Sequence, residues 1–121
     1  MKKANLLGPW GESLAADYLR ECGYTIVAAN YRTRYGEIDL IAQKEDRIIF
    51  VEVKLRASSK FAEAREFVDS AKQRRLRSAA LLWLSEQELD CQPRFDVIEI
   101  YAPYGLQTQT PELHHLENAF E

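Results

Sequence analysis

The sequence predicts an α/β domain in the order helix, three strands, helix and strand. Apolar residues recur at helical spacing in two stretches, one near the start of the chain and one in its second half. Between them lie three segments rich in Ile, Val, Tyr and Phe, separated by short polar turns. Because 121 residues with 46% apolar composition can bury one core, we expect a single domain over residues 1–121.

The first half of the chain predicts a helix followed by three strands. The helix is expected over Leu6–Cys22 and ends at Gly23. Its apolar stripe comprises Leu7, Trp10, Leu14, Ala15, Tyr18, Leu19 and Cys22. Consecutive antiparallel strands are expected over Tyr24–Tyr31, Gly36–Gln43 and Arg47–Leu55.

The second half predicts one long helix and at least one more strand. Ala57–Phe67 is polar and mixed, which favours a mobile loop. Val68–Leu89 is the longest helical stretch. The residues on its apolar side are Leu76, Ala79, Ala80, Trp83 and Leu84. Arg94–Tyr101 alternates as a strand does, whereas Leu113–Phe120 fits either a short last strand or a tail.

Charge is distributed unevenly along the chain. The formal net charge is −3, but residues 32–77 carry 12 Lys/Arg and 8 Asp/Glu, a net +4, and the remainder carries −7. If the basic segment forms one face, the acidic average does not exclude a polyanionic partner.

Composition also limits the compartment and the use of the cysteines. No run of about 18 apolar residues could form a membrane span, and the first residues lack the apolar stretch of a secretory signal, so we expect a cytoplasmic protein without a membrane partner. Cys22 and Cys91 have no second cysteine at metal-ligand spacing, which predicts free thiols rather than a zinc site.

Two charged residues interrupt the third predicted strand. Ile48, Phe50, Val51 and their apolar neighbours suit a central strand covered on both faces, yet Glu52 and Lys54 share one face of it. A buried carboxylate without a partner costs several kcal/mol or more, so Glu52 requires an ion pair, a hydrogen-bond network or a metal ion.

The preceding strand supplies a partner for Glu52. Asp39 and Glu37 are expected to share one face, with Ile38 and Leu40 on the other. A turn with an even number of residues, either Glu45-Asp46 or the four residues 44–47, places Asp39 opposite Glu52 and residue 37 opposite residue 54.

Two adjacent carboxylates in a partly buried position fit a divalent cation. A hard ion with oxygen ligands, Mg²⁺ in particular, would relieve the repulsion between Asp39 and Glu52. Lys54 could then hold the attacking water or offset charge in the transition state. The alternative is a structural ion-pair cluster of Glu37, Asp39, Glu52 and Lys54 across the hairpin.

The spacing of these residues resembles that of a known nuclease superfamily. Asp39, twelve residues and then Glu52-Val53-Lys54 is similar to the Asp…(Asp/Glu)-x-Lys signature of restriction-endonuclease-like nucleases. The flanking segments look like the bacterial YraN family, which is described as nuclease-like and is similar to archaeal Holliday-junction resolvases. These segments are Gly11-Glu12, Gly36-Glu37-Ile38-Asp39-Leu40-Ile41, Phe50-Val51-Glu52-Val53-Lys54-Leu55-Arg56 and Arg94-Phe95-Asp96-Val97.

The resemblance implies a restriction-endonuclease-like αβββαβ core with a central mixed sheet flanked by helices. It implies Asp39 and Glu52 as ligands of Mg²⁺, or of Mn²⁺ as a substitute, with the Val53 carbonyl as a further ligand and Lys54 as the catalytic lysine. One departure is Ile38, which stands where the superfamily's name has proline.

Residues on the two helices can support such a site. Glu12 lies at the edge of the first apolar stripe, where it can face the sheet; the resemblance would add it to the metal site, and the alternative is a first-turn carboxylate favoured by the helix dipole. On the second helix, Lys72 and Gln73 flank the apolar stripe and can reach the active site.

Basic residues around these elements suit contacts with phosphates. Arg74, Arg75 and Arg77 point away from the apolar stripe, and Arg32, Arg34, Arg56 and Lys60 flank the acidic strands. Such cations position a duplex without reading its sequence. The alternative for the helix is an ordinary solvated face. Asp96 is expected to pair with an arginine, and His114 and His115 receive no role.

These features together predict an Mg²⁺-dependent endonuclease that hydrolyses DNA phosphodiester bonds; branched, Holliday-junction-like DNA is suggested by the resolvases alone. The alternatives are a catalytically silent nucleic-acid-binding module with the same fold and a structural domain with a salt-bridged hairpin. Cutting two strands would be easier for a symmetric homodimer, which is therefore a further expectation.

Overall fold

The computed structural model describes residues 7–57 and 69–120 of the chain. Their elements, in order, are α1 (Leu7–Glu21), β1 (Thr25–Arg32), β2 (Glu37–Lys44), β3 (Arg47–Arg56), α2 (Ser70–Glu86), β4 (Arg94–Tyr101), a short 3-10 helix (Gly105–Gln107) and β5 (Glu112–Phe120). The predicted class and element order are confirmed, and the last segment is a strand rather than a tail. The predicted mobile loop, apart from Ala57, lies outside the described residues.

The five strands form one mixed sheet in the order β1-β2-β3-β4-β5. β3 and β4 pair in parallel, and the other neighbours are antiparallel. Parallel neighbours need a long crossover connection, and the chain between β3 and β4 contains α2. Strands β3 and β4, which have a neighbour on each side, carry the buried Ile, Val and Phe residues typical of strands inside a sheet.

Each face of the sheet buries its own hydrophobic core under one helix. On one face α2 contributes Leu76, Ala79, Ala80, Trp83 and Leu84, which pack with Phe50 of β3 and Val97 of β4. On the other face α1 contributes Ala15, Ala16 and Leu19, which pack with Val51 and Ile98. The sheet is therefore covered on both sides, as the apolar run in β3 predicts.

Local contacts fix where each helix begins against the sheet. The Asp69 carboxylate accepts a hydrogen bond from Lys72 N at 2.8 Å and caps the first turn of α2. On α1, a Cβ at Gly11 would lie 3.0 Å from the side chain of Leu55, so glycine permits the helix to approach β3 closely. Glu12, the next residue, is thereby held near the sheet.

A buried polar network connects α1 with β4 and β5. Asp96 is fully buried and accepts hydrogen bonds from Arg94 Nε at 2.9 Å and Nη2 at 2.8 Å, and from the Asn118 N–H at 3.0 Å. His115 Nε2 lies 2.7 Å from the same carboxylate, and its Nδ1 lies 2.9 Å from the Tyr18 hydroxyl. Although burial alone would raise the pKa of Asp96, the His115 and Arg94 hydrogen bonds lower it. The expected arginine partner of Asp96 is confirmed.

We predict that Asp96→Ala lowers the free energy of unfolding by about 3 kcal/mol, because it removes the buried carboxylate to which both Arg94 and His115 bind. Urea denaturation at neutral pH measures this change. Asp17→Ala is the matched control, since Asp17 makes an exposed 3.2 Å ion pair with Arg20, and such pairs contribute less than about 1 kcal/mol. A small decrease in the free energy of unfolding that is equal in Asp96→Ala and Asp17→Ala would contradict the structural role of the network.

Candidate active site

The turn between β2 and β3 sets the positions of the acidic residues. It consists of Glu45 and Asp46, because Lys44 pairs with Arg47, and the ladder continues to Leu40 and Val51. One residue beyond this ladder, the same offset would pair Asp39 with Glu52, and the two residues line one cavity. There the backbone ladder ends, and the Asp39 carboxylate accepts a hydrogen bond from the Val53 N–H at 2.8 Å.

Three carboxylates line one cavity of about 280 Å³ at this point. Glu37, Asp39 and Glu52 share it with Gly36, Lys72, Arg75 and Leu76. The carboxylates therefore open to the α2 side of the sheet, and the structure brings together the acidic residues that the sequence singled out.

The simple alternation expected along β2 is wrong around Ile38. Ile38 packs in the α2-side core together with Ile41, whereas Leu40 packs in the α1-side core. Asn30, opposite Asp39 in the β1–β2 register, has a left-handed φ of 52°. This local irregularity, which asparagine tolerates better than most residues, coincides with the break in alternation.

Glu52 is the buried centre of the cavity. It is 7% exposed, with Lys72 Nζ 2.6 Å and Lys54 Nζ 3.6 Å from its Oε1. Within residues 7–57 and 69–120, its Oε2 is buried without a hydrogen-bond partner. The expectation that Lys72 reaches the site is confirmed. Gln73 is half-buried on the same helix but does not line the cavity, to which α2 contributes Lys72, Arg75 and Leu76.

Glu37 and Lys54 have different partners from the expected cross-strand pair. Glu37 Oε1 lies 3.4 Å from Arg32 Nε on β1, and Lys54 turns along its own strand toward Glu52. Since the β2–β3 ladder ends at Leu40 and Val51, the strand ends are free to direct these side chains elsewhere.

The site perturbs the proton affinities of its residues. Burial, and then the neighbouring Glu52 charge, raise the pKa of Asp39 to about 7 against the opposing Val53 hydrogen bond. Burial and the adjacent Lys72 ammonium lower the pKa of Lys54. Burial would also lower the pKa of Lys72, but the hydrogen bond and charge of Glu52 raise it.

Glu12 joins this electrostatic cluster from α1. Its pKa is raised chiefly by burial and further by the charges of Glu37 and Glu52, while a side-chain hydrogen bond with Asn30 opposes the rise. The side chain therefore faces the acidic residues rather than only solvent, which is the geometry that the sequence allowed.

The donor set fits a hard divalent cation. Asp39 and Glu52 supply carboxylate oxygens, and the buried Glu52 Oε2 lacks a hydrogen-bond donor among the residues described. The further ligand that the resemblance implies, the Val53 carbonyl, belongs to the residue whose N–H donates to Asp39 at 2.8 Å. No three His, Cys, Asp or Glu side chains in these ranges form a ready ligand set. Mg²⁺ is commonly held by one or two carboxylates, waters and substrate phosphates, which this arrangement allows.

The predicted basic residues divide among several places. Arg34 and Arg74 are exposed, Arg75 is exposed and lines the acidic cavity, and Arg56 lies 3.9 Å from the buried Glu99 carboxylate. Arg77 instead lines a cavity of about 770 Å³ beside the β2–β3 turn. Lys60 lies outside the described residues.

Sequence reasoning missed several residues near the site and in the Asp96 network. Asn30, Tyr35, Glu99 and His115 had no predicted role. Glu99 had a readable signal, because it interrupts the apolar run of β4 as Glu52 interrupts β3, and it is only 1% exposed. Asn30 and Tyr35 gave no comparable pattern, since their positions depend on how the β1–β2 hairpin meets the helices.

Fold and site together define a three-layered α/β/α protein with a buried glutamate, further carboxylates and two lysines at one end of a mixed sheet. The chain belongs to the family described as "Uncharacterised protein family UPF0102", whose profile matches residues 11–100. It is 44% identical over 115 residues to a UPF0102 protein of Syntrophomonas wolfei (94% of this chain, 96% of the relative). It is 46% identical over 116 residues to one of Geobacter metallireducens (95% and 92%). A relative in Caldanaerobacter subterraneus is 41% identical over 124 residues (99% and 100%).

Two further expectations concern the whole chain. Within the described residues, neither helix has the length and apolar character needed to cross a bilayer. Cys22 is exposed and Cys91 half-buried, and both are free thiols, as predicted.

We predict that Asp39→Asn stabilises the metal-free protein at pH 8 by on the order of 2 to 4 kcal/mol. The folded-state pKa of Asp39 is raised to about 7, so the wild type loses stability as pH rises from about 4 to 7, while the neutral amide does not. Thermal denaturation in a chelator measures this difference. At pH 4 the variant and wild type should be close in stability; a difference that is the same at pH 4 and pH 8 would contradict the assignment.

Proposed function

We propose that the protein is a metal-dependent endonuclease that hydrolyses DNA phosphodiester bonds at the Asp39–Glu52 cavity. The observation that supports this most directly is the pair of adjacent carboxylates, one with a pKa raised to about 7 and the other with a buried oxygen that has no hydrogen bond among the described residues. Groups in such an environment are typical of functional sites, since a fold gains nothing from them in isolation.

Each residue has a role that follows from its contacts. The Val53 N–H orients Asp39, and Lys72 holds Glu52 in the absence of a cation. Bound Mg²⁺ would polarise the scissile phosphate and lower the pKa of a water. In this proposal Lys54, whose pKa is lowered and whose Nζ lies 3.6 Å from Glu52, would orient the attacking water and stabilise negative charge on the phosphate oxygens.

DNA is the proposed polymer because Lys72 and Arg75 line the cavity beside the carboxylates, where they can contact phosphates. Arg74 and Arg75 are exposed on the helix that supplies Lys72. Such residues contact phosphates irrespective of sequence. Branched DNA remains the proposal that the resemblance to resolvases adds, and a symmetric homodimer would serve cleavage of two strands.

A silent nucleic-acid-binding module is the second candidate. The 2.6 Å contact between Lys72 and Glu52 favours it, because that ion pair already offsets the buried charge without a metal. The two candidates differ in whether a cation displaces this contact.

Cleavage assays separate the candidates. We expect Mg²⁺-dependent cleavage of at least one of branched, single-stranded and linear duplex DNA, and a loss of roughly 100-fold or more in Asp39→Ala and Lys54→Ala. Arg20→Ala, which removes an exposed cation in an ion pair on α1, is the control and should cleave as wild type does. Unchanged cleavage in both site variants would refute the assignment of the site, and binding without cleavage would favour the silent module.

Calorimetric titration tests the cation itself. We expect Mg²⁺ or Mn²⁺ to bind at millimolar concentration or below and binding to be lost in Asp39→Ala, since that variant removes one of the two carboxylate ligands. Lack of binding both with and without DNA would instead favour a structural ion-pair cluster.

A further inference from the structure

We propose that Tyr35, Arg34, Arg74 and Arg75 form a stacking surface that binds an unpaired DNA base beside the carboxylate cavity. The inference rests on the proposed function for the choice of DNA, and it names the substrate class as DNA with single-stranded character.

The β1–β2 connection holds Tyr35 in a defined position. The Thr33 hydroxyl oxygen accepts hydrogen bonds from Tyr35 N at 3.0 Å and Gly36 N at 3.1 Å, and Thr33 N donates to Gly36 O at 2.9 Å. The turn is therefore closed by its own hydrogen bonds. Tyr35 does not contribute to either hydrophobic core and is 38% exposed.

The surroundings of the Tyr35 ring suit a base and its phosphate. The ring lines a cavity of about 220 Å³ together with Ala71, Arg74, Arg75 and Ser78 of α2. The Arg34 guanidinium lies 4.9 Å from the ring centroid and donates to the Tyr35 hydroxyl at 2.7 Å. Arg74 and Arg75 make no ion pair with an acid of residues 7–57 or 69–120, although Arg75 also lines the cavity of Glu37, Asp39 and Glu52.

This combination is what proteins use on single strands. An aromatic ring accepts any base because every base has a π-face, and neighbouring cations follow the backbone. In an intact duplex the base faces are stacked on each other, so only an unpaired or extruded base can reach the ring.

The stacking surface is continuous with the proposed active site. Arg75 lines both cavities, and Gly36, which lines the acidic one, directly follows Tyr35. A Cβ at Gly36 would lie 3.3 Å from the Cβ of Arg75, so the hairpin packs directly against α2. A nucleotide held at Tyr35 would therefore lead its backbone into the cavity of Asp39 and Glu52.

Binding without cleavage tests the surface independently of the nuclease activity. Fluorescence anisotropy in a chelator would compare a labelled oligodeoxythymidylate with a duplex of equal length. We expect Tyr35→Ala to weaken single-strand binding about tenfold, by loss of stacking, and to change duplex binding little. Tyr35→Phe should keep most of the single-strand affinity, because it retains the ring and loses only the hydroxyl that accepts from Arg34. Tyr104→Ala removes another exposed tyrosine, which lines neither cavity, and should have no effect.

A second measurement locates the contact. Photocrosslinking of an oligonucleotide containing 5-iododeoxyuridine should give an adduct at Tyr35, identified by mass spectrometry. Unchanged single-strand affinity in Tyr35→Ala, equal losses on both DNAs, or a loss as large in Tyr104→Ala would overturn the proposal. If Tyr35→Ala weakens single-strand binding but no Mg²⁺-dependent cleavage is found, this surface is supported and the nuclease is refuted. If cleavage and single-strand binding are both unchanged in Tyr35→Ala, the nuclease is supported and this surface is refuted.

Discussion

The charge of Glu52, buried in the central strand, is the constraint around which the rest of the site is organised. Removing a carboxylate from water costs several kcal/mol unless partners compensate it. Lys54 supplies one ammonium from the same strand, and Lys72 supplies a second from α2. The Lys72–Glu52 contact thereby connects the first turn of α2 to the sheet. The N-cap at Asp69 fixes where the helix begins, and so fixes that Lys72 is the residue that reaches Glu52.

The two faces of the sheet differ in how well they stabilise the charge of an acidic side chain. On the α1 side, Asp96 has a full set of donors and its pKa is lowered, so its charge supports the fold. On the α2 side, Asp39 has one backbone donor and a repelling neighbour, and its pKa is raised. One carboxylate stabilises the native state and the other is retained at a cost, which is the usual division between structural and functional residues.

Periodicity and parity allowed the element order and the Asp39–Glu52 register to be predicted, because strand geometry fixes both from sequence alone. The same rules failed at Ile38, where Asn30 adopts a left-handed conformation in the neighbouring strand. Side-chain partners such as Arg32 for Glu37 could not be foreseen, since they depend on where the β2–β3 ladder ends. The position of Tyr35 beside α2 could not be predicted, because it depends on tertiary packing and not on a local sequence pattern.

The turn at Glu45 and Asp46 has a consequence for how this protein can vary. Both residues are exposed and neither lines the acidic cavity, so many substitutions there should be tolerated. The number of residues in the turn, by contrast, is constrained. Inserting or deleting one residue would exchange inward and outward positions of β3 relative to β2, and Glu52 would then face α1 while Val51 faced Asp39. The turn can thus change its exposed side chains, within the limits set by the left-handed φ of 58° at Glu45, but not its length by one.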